Sequence, residues 1–423
     1  MSPSELYNYF SKSNSVSTDT RTLSKGDIYF ALKGNNFDGN KFAELAIKNG
    51  ASYAVVDNTS LNHPLFLKVK DCLKSLQEIA KIHRSKLSNT KFIAITGSNG
   101  KTTTKELITN VLSSKFKVSS TVGNLNNHIG VPLTLLQMKK DTEIGIVEMG
   151  ANHLKEIKFL TRIINPDYGL ITNFGKAHLE GFGSIEGVIK GKSELYEFLV
   201  KKNKIAFIND DDDIQKKFNG QKIVYGKSKN LKYNFIKTNS DFYSSLVYKN
   251  QIIKSNLSGD YNYNNIAFAT LIGLYFKIHI DEIKKSILNY KPKNNRSQII
   301  QKGNKYIIMD AYNANPSSME SALNSFVKRK GTKTVIFGDM FELGKESGLE
   351  HFKLVEKCIK EKIQNIFLVG DEFFKLSNKF NSPFFFKTKN ELISYFQTSK
   401  LKSENILIKG SRGMKMEDLV NHI

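Results

Sequence analysis

The 423-residue sequence has no tryptophan, two cysteines and only seven prolines. Cys72 and Cys358 lie far apart and match no zinc-ligand or redox spacing, so no disulfide framework is expected and a reducing, cytoplasmic setting is. Long apolar runs are missing as well. The longest, around residues 266–276, is broken by Thr270 and Gly273 and is too short to span a bilayer. The opening MSPSELYNYF has no basic patch followed by an apolar stretch, so neither a secretory leader nor stable membrane insertion is expected. Acids are scarce, 40 against 63 Lys plus Arg, which leaves a formal charge of +23. The excess is spread along the chain as KK and KxK pairs, without an RRM-like aromatic signature or zinc-finger spacing. It reads as a solvated lysine-rich surface whose field favours anionic small substrates, with no nucleic-acid partner.

What is present suffices for several cores. At ~100–200 residues per domain the length predicts two to four domains, and 40% of the residues are hydrophobic. Residues 1–85 carry short strand-like runs, DIYFAL at 27–32 and YAVV at 53–56, and a helical pattern at 73–83. From residue 91, apolar strands alternate with amphipathic helices: KFIAIT, the helix KTTTKELITNVLSS, then EIGIVEM, YGLITNF and KIAFIN. A third alternation starts near Ser297 with YIIMDAY, followed by TVIFGDM, NIFLVG and NILIKG. KPKNNR at 291–296 reads as a hinge, since Pro, Lys and Asn rarely sustain a regular element. The expected fold is α/β in three domains: a small α/β unit at 1–85, a central doubly wound P-loop ATPase-like unit at 86–296, and a Rossmann-like unit at 297–423. No coiled coil or long apolar seam appears, so a monomer is expected.

The sharpest local signal is TGSNGKTTTKE, from Thr96. A strand ending in a Gly-rich turn that opens into a helix presents backbone N–H groups and a positive dipole end to phosphate. Gly97 and Gly100 permit the turn, Lys101 is placed to reach the β- and γ-phosphates, and the Thr102 hydroxyl to hold Mg²⁺. Where the standard P-loop has its first glycine, this chain has Ile95. Glu148 ends the strand EIGIVEM at the sheet edge where doubly wound folds bind ligands. Taken singly, Glu148, His178 and Lys192 would pass for a solvated strand-end acid, a loop histidine and a helix-surface lysine. The run Asp210–Asp213 follows a strand end and reads as a solvated turn.

Together these segments resemble the Mur ligase family over nearly the whole chain. TGSNGKTT is similar to that family's shortened P-loop, and NLNNHIGVP at 124–132 to its substrate loop. EMGANH contains the acid that bridges Mg²⁺, and AHLEGFGSIEGVIKGKSEL resembles the segment with the second metal ligand and a special lysine. GDYNYNNIAFA at 259–269 is similar to the adenine motif GxHNxxNxxAA, with Tyr261 where His is usual and Asn262 and Asn265 retained. Arg296 and Asp310 match the hinge arginine and the ribose-side acid. Within the family, DAYNANPSSM at 310–319, GDMFELG at 338–344 and KGSRGMKME at 409–417 resemble the member that adds D-alanyl-D-alanine. DTRTLSKGDIYFALKGNNFDG, from Asp19, resembles the uridine-binding domain of that member and the one preceding it. The DNPR-type string of the preceding, third-residue-adding member is not found.

The resemblance implies an ATP-dependent amide ligase that joins D-Ala-D-Ala to UDP-N-acetylmuramoyl-tripeptide through an acyl phosphate. This is the last cytoplasmic step of peptidoglycan precursor synthesis. It implies ATP contacts at Gly97, Ser98, Asn99, Gly100, Lys101, Thr102, Thr103, Asn262, Asn265, Arg296, Asp310 and Asn313. For the UDP-substrate it implies Thr18, Asp19, Thr20, Arg21, Asn124, Asn126 and Asn127. Two Mg²⁺ ions are implied, the first on Thr102 and Glu148, the second on His178 with a carbamylated Lys192. Catalysis would then rest on Lys101, Lys192, His178 and Glu148. Lys190 is the alternative carbamylation position; on a helix the two lie about 200° apart, so only one can face the site. The rivals at this level are another ligase of the superfamily, either the third-residue-adding member or a folylpolyglutamate synthase, and a basic P-loop protein acting on nucleic acid. A degenerate, non-catalytic binding module is disfavoured because no chemically required position is lost.

Overall fold

Short apolar strands separated by amphipathic helices can bury both sheet faces only by winding helices on either side, and the chain does this three times. The structure, a computed structural model, describes residues 1–238, 242–292 and 295–423. A first, four-stranded parallel sheet runs in the order Val16–Ser17, Ile28–Phe30, Tyr53–Val56, Phe66–Lys68. The middle sheet has seven parallel strands in the order Tyr233–Asn234, Lys222–Gly226, Ile205–Asn209, Tyr168–Ile171, Lys91–Thr96, Ile144–Glu148, Val118–Ser120. Its strand order reverses beside Lys91–Thr96, which makes the carboxyl end of that strand a topological switch point. The third sheet has six strands, ordered Gln298–Lys302, Lys305–Met309, Asn405–Lys409, Lys333–Gly338, Asn365–Val369, Phe384–Phe386, and only the first pair is antiparallel.

Some elements go beyond the sequence-based expectation, among them Val118–Ser120, Lys222–Gly226 and Phe384–Phe386. A three-stranded antiparallel sheet of Ile236–Lys237, Tyr243–Tyr248 and Gln251–Ser258 sits beside the middle sheet, and Gln298–Lys302 adds an edge strand to the third. The helix expected at 73–83 runs Cys72–Lys86, because the Asp71 carboxylate caps its N-terminus by accepting from Lys74 N at 2.8 Å. Within the hinge expected at 291–296, residues 293 and 294 lie outside the described residues. Among the described residues no helix is long and apolar enough to cross a membrane.

The helix Cys72–Lys86 joins the first sheet to the middle one. The Arg84 guanidinium lies 3.8 Å from the Phe92 ring centroid and donates to Ile164 O at 2.7 Å and Asn165 O at 2.9 Å. His83 is buried; Nδ1 meets the Tyr7 hydroxyl at 3.0 Å and Nε2 meets Met138 O at 2.8 Å. A carbonyl only accepts, so Nε2 carries a proton. On the far side, the helix Tyr263–Tyr275 is buried nearly all round and packs on Lys101–Leu112, the helix that follows the Gly-rich turn.

Burial pushes the His83 pKa below its ordinary 6.5. The unfolded chain then takes up the proton more readily, so the stability gained is present above pH 6.5 and is lost as pH falls through the folded value. His83→Gln is expected to lower the urea midpoint near neutral pH and to remove part of the decline seen below pH 6.5. Urea titrations at a series of pH values check this.

Candidate active site

At the switch point the backbone must turn sharply and stay clear of side chains. Gly97 has φ 142°, and a Cβ there would lie 2.0 Å from Thr172 Oγ1. Gly100 has φ 78°, and its Cβ would fall 2.5 Å from Asn265 Oδ1. The turn is tied to the neighbouring strand end. Ser98 N donates to Asn173 O at 3.0 Å, Asn99 N to Asn173 Oδ1 at 3.1 Å, and Thr172 Oγ1 to Asn99 O at 2.6 Å. The helix Lys101–Leu112 starts there and points its positive dipole end into the cleft. Lys101 Nζ folds back onto Gly97 O at 2.7 Å; burial pushes its pKa down, and Glu148 opposes that shift.

Glu148 is 1% exposed, and each carboxylate oxygen has a partner: Oε2 accepts from the Thr102 hydroxyl at 2.9 Å and Oε1 from Asn126 Nδ2 at 2.8 Å. Its N–H donates to Thr121 Oγ1 at 3.0 Å, while the buried Lys105 ammonium donates to Thr121 O at 2.6 Å. The acid and its supports therefore come from the Gly-rich helix, the 124–127 loop and a strand end. Thr102 and Glu148 offer hard oxygen donors beside a phosphate-binding turn, which suits Mg²⁺, an ion usually held by one or two carboxylates plus substrate phosphate. Among the described residues no group of three His, Cys, Asp or Glu side chains could hold a cation by itself.

Lys192 and Lys190 part company on the helix Ile185–Lys201: Lys190 is exposed, whereas Lys192 is 0% exposed. Lys192 Nζ donates to Ala151 O at 3.1 Å, and burial, then the charge of Lys101, push its pKa well down. This environment favours the neutral amine over the ammonium. His178 adopts φ 53° and places Nδ1 2.5 Å from a Glu342 carboxylate oxygen, off the line of a well-formed hydrogen bond. The contact holds the Glu342 carboxyl below its usual range.

Opposite the turn, Asn262 Nδ2 donates to Ser258 O at 2.7 Å and Ser297 Oγ at 3.1 Å, and Asn265 Nδ2 donates to Asn262 Oδ1 at 2.7 Å. Tyr261, in the place of the family's usual histidine, has its hydroxyl 2.9 Å from Ser297 Oγ. Arg296 stacks on Tyr312 at 3.4 Å. Asp310 accepts from Ser297 N at 3.0 Å and pairs with Lys409 at 2.7 Å, and Lys409 also donates to Asn313 O at 3.1 Å.

A cavity of about 690 Å³ unites these groups. Ser98 to Thr103, Asn124, Asn126, Asn127, Glu148, His178, Asn262, Asn265, Arg296, Asp310 and Asn313 line it. Gly97 and Lys192 are not on its wall, and neither are Thr18, Asp19, Thr20 and Arg21 in the first unit. There Asp19 and Arg21 pair at 2.6 Å, and the guanidinium brings the Asp19 carboxyl down to about 2. Asp210–Asp213 form a turn in which Asp212 Oδ1 accepts from Ile214 N and Gln215 N.

Several contributors carried no separate signal in the sequence. Asn173 steadies the turn from the next strand, and Asn315 Nδ2 donates across to Asn99 Oδ1 at 2.8 Å. Asn315, Glu342 and Lys409 fall inside strings quoted above for their family likeness, and that is the clue that could have singled them out.

Comparison with known proteins gives three family matches: "Mur ligase family, catalytic domain" over residues 12–84, "Mur ligase middle domain" over 95–273, and "Mur ligase, glutamate ligase domain" over 295–412. The chain is 34% identical to the UDP-N-acetylmuramoyl-tripeptide–D-alanyl-D-alanine ligase of Bacillus subtilis, over 96% of this chain and 92% of that one. It is 32% identical to the Escherichia coli protein of the same description, over 96% and 93%. Among solved structures, MurF of Acinetobacter baumannii superposes with a TM-score of 0.87 at 29% identity, covering 99% of this chain and 98% of that one. MurF of Thermotoga maritima in complex with ADP gives 0.84 at 26% identity, covering 98% and 97%.

Lys409 is 3% exposed and its ammonium faces Asp310, so removing it leaves a poorly solvated carboxylate. Lys409→Met is expected to destabilise the third unit by about 3 kcal/mol in denaturant unfolding. Adding Asp310→Asn should recover part of that loss, and a double-mutant cycle measures the coupling.

Proposed function

This chain belongs to the Mur ligase family, and we propose that it is the ATP-dependent ligase that joins D-Ala-D-Ala to UDP-N-acetylmuramoyl-tripeptide in peptidoglycan precursor synthesis. The observation that carries this reading is one cavity bounded by the phosphate turn of the middle sheet and by Arg296, Asp310 and Asn313 on the other side. We assign residues 1–85 to the UDP end of the substrate, 86–296 to ATP, and 297–423 to the dipeptide and to closure. The chain acts in the cytoplasm as a monomer.

A carboxylate is a poor acylating agent, because expelling its oxygen would release oxide. Transfer of the γ-phosphoryl group of ATP to the tripeptide's terminal carboxylate gives ADP and an acyl phosphate. The dipeptide's free amine attacks that carbonyl, a proton leaves the nitrogen, and the tetrahedral intermediate expels phosphate. The first transfer presses one anion against another, so cationic and N–H donor groups must dominate. The turn from Gly97 to Thr103 cradles the phosphates, and Lys101 swings from Gly97 O onto the β- and γ-oxygens. Asn262 and Asn265 hold the adenine end, and Asp310 takes the ribose side. Arg296, stacked on Tyr312, supplies a second positive charge.

Thr102 and Glu148 would hold one Mg²⁺, and His178 with a carbamylated Lys192 a second. When bound, these ions neutralise charge on the phosphates and the acyl oxygen. Asn126 keeps the Glu148 carboxylate aimed, and Asn124 and Asn127 receive the sugar-peptide part of the substrate. Asp19 and Arg21, with Thr18 and Thr20, bind the uridine end. The 338–344 loop and Ser411–Arg412 bring the dipeptide, and docking of the third unit excludes water.

The deciding experiment follows ADP release from the purified chain with UDP-N-acetylmuramoyl-tripeptide and one acceptor at a time. D-Ala-D-Ala should support turnover, and diaminopimelate, lysine and glutamate should not. Lys101→Ala is expected to lower kcat by about 100- to 1000-fold or more with the thermal melt intact. Lys192→Ala should lose activity that short carboxylic acids partly restore, whereas Lys190→Ala should keep it. Asp19→Ala and Arg21→Ala should raise KM for the UDP-substrate more than for ATP.

A further inference from the structure

The loop after the strand Lys333–Gly338 is rigid at its root. Met340 N donates to Nε2 of the fully buried His351 at 3.0 Å, and Phe341 N donates to Ser411 Oγ at 2.9 Å. Beyond that root the loop reaches the middle sheet's 178–180 segment. Glu342 makes two contacts there: its carbonyl accepts from Glu180 N at 3.2 Å, and its carboxylate lies 2.5 Å from His178 Nδ1. Both residues are left-handed, Glu342 at φ 62° and His178 at φ 53°. A non-glycine residue rarely adopts that region, at a cost of roughly 1–2 kcal/mol each, and surrounding contacts must hold it. Two such residues meeting across a boundary between units mark a built contact.

An imidazole that offers one nitrogen to a cation has its other nitrogen held by a carboxylate or carbonyl, which sets the tautomer and the ring plane. Here the Nδ1 edge of His178 faces Glu342, the ring lines the cavity, and Nε2 makes no hydrogen bond among the described residues. The carboxylate beside this Nδ1 belongs to the C-terminal unit, so the docked unit supplies the group that faces the ring. We propose that Glu342 is a positioning residue delivered to His178 on closure, fixing the imidazole with Nε2 toward the cavity, so that filling the His178 cation position depends on the closed arrangement. This rests on the reading of His178 as a cation ligand.

The test counts Mn²⁺ bound to the full chain by electron paramagnetic resonance, with a non-hydrolysable ATP analogue and UDP-N-acetylmuramoyl-tripeptide present. Glu342→Gly removes the carboxylate while suiting the left-handed backbone. It is expected to weaken the second Mn²⁺ by about 10–100-fold and to leave the first ion and the nucleotide Kd unchanged. Glu342→Gln, which still accepts a hydrogen bond, should fall between that variant and the unaltered protein. In turnover, Glu342→Gly should need more Mg²⁺ with an unchanged KM for ATP. A Glu342→Gly protein that binds both ions as tightly as the unaltered chain overturns the proposal. His178→Ala separates the two readings: if it also keeps both ions, His178 is no ligand and the premise itself falls.

Discussion

A turn that must let several backbone N–H groups converge on one anion cannot tolerate a side chain in its path, and the rest of the cavity depends on that constraint. Thr172 occupies the space beside residue 97, and Asn265 the space beside residue 100. The turn is therefore clamped between the end of one strand and the helix that carries the two asparagines. Because Thr104 Oγ1 also donates to Asn265 Oδ1 at 2.9 Å, the helix after the Gly-rich turn and the helix bearing Asn265 are held in one piece. That preorganisation is what lets binding energy act on the reacting groups rather than on ordering the protein.

The same preorganisation concentrates charge in a dry place. Lys105, Lys192 and Lys409 are all at most 3% exposed, and Lys101 is drawn in beside them. Each is handled differently. Lys409 has a carboxylate, Lys105 and Lys101 have backbone carbonyls, and Lys192 has one carbonyl and a phenyl face 5.1 Å away. Lys192, with one carbonyl acceptor and no carboxylate paired to it among the described residues, is the position where a charged ammonium is costliest.

The α/β class and its three parallel alternations were legible because each strand is a short apolar run between helix patterns. The antiparallel sheet at 236–258 was not, since runs such as QIIKSNLS mix lysine, serine and asparagine into strands buried on one face. The edge strand Gln298–Lys302 escaped for the same reason. In the cavity, the Gly-rich turn and Glu148 stood out because local order of strand, turn and helix carries that information. Spacing could say that Lys190 and Lys192 face opposite ways, but not which of them is inside. The partners Asn315, Glu342 and Lys409 act across units; Asn315 is 216 residues from Asn99, and no local pattern reports such a meeting.

The Asn99–Asn315 contact belongs to the neutral hydrogen bonds that join the middle and C-terminal units. The neutral set also includes Lys176 N to Ser317 Oγ at 2.8 Å and Glu180 N to Glu342 O at 3.2 Å, whereas the ionic clasps are Lys176 with Glu350 at 2.7 Å and Lys328 with Asp260 at 2.6 Å. Those clasps weaken as salt shortens the range of charge, whereas a bond between two neutral amides barely notices. High ionic strength would thus loosen the ionic clasps first and leave the neutral bonds to carry the junction with the C-terminal unit.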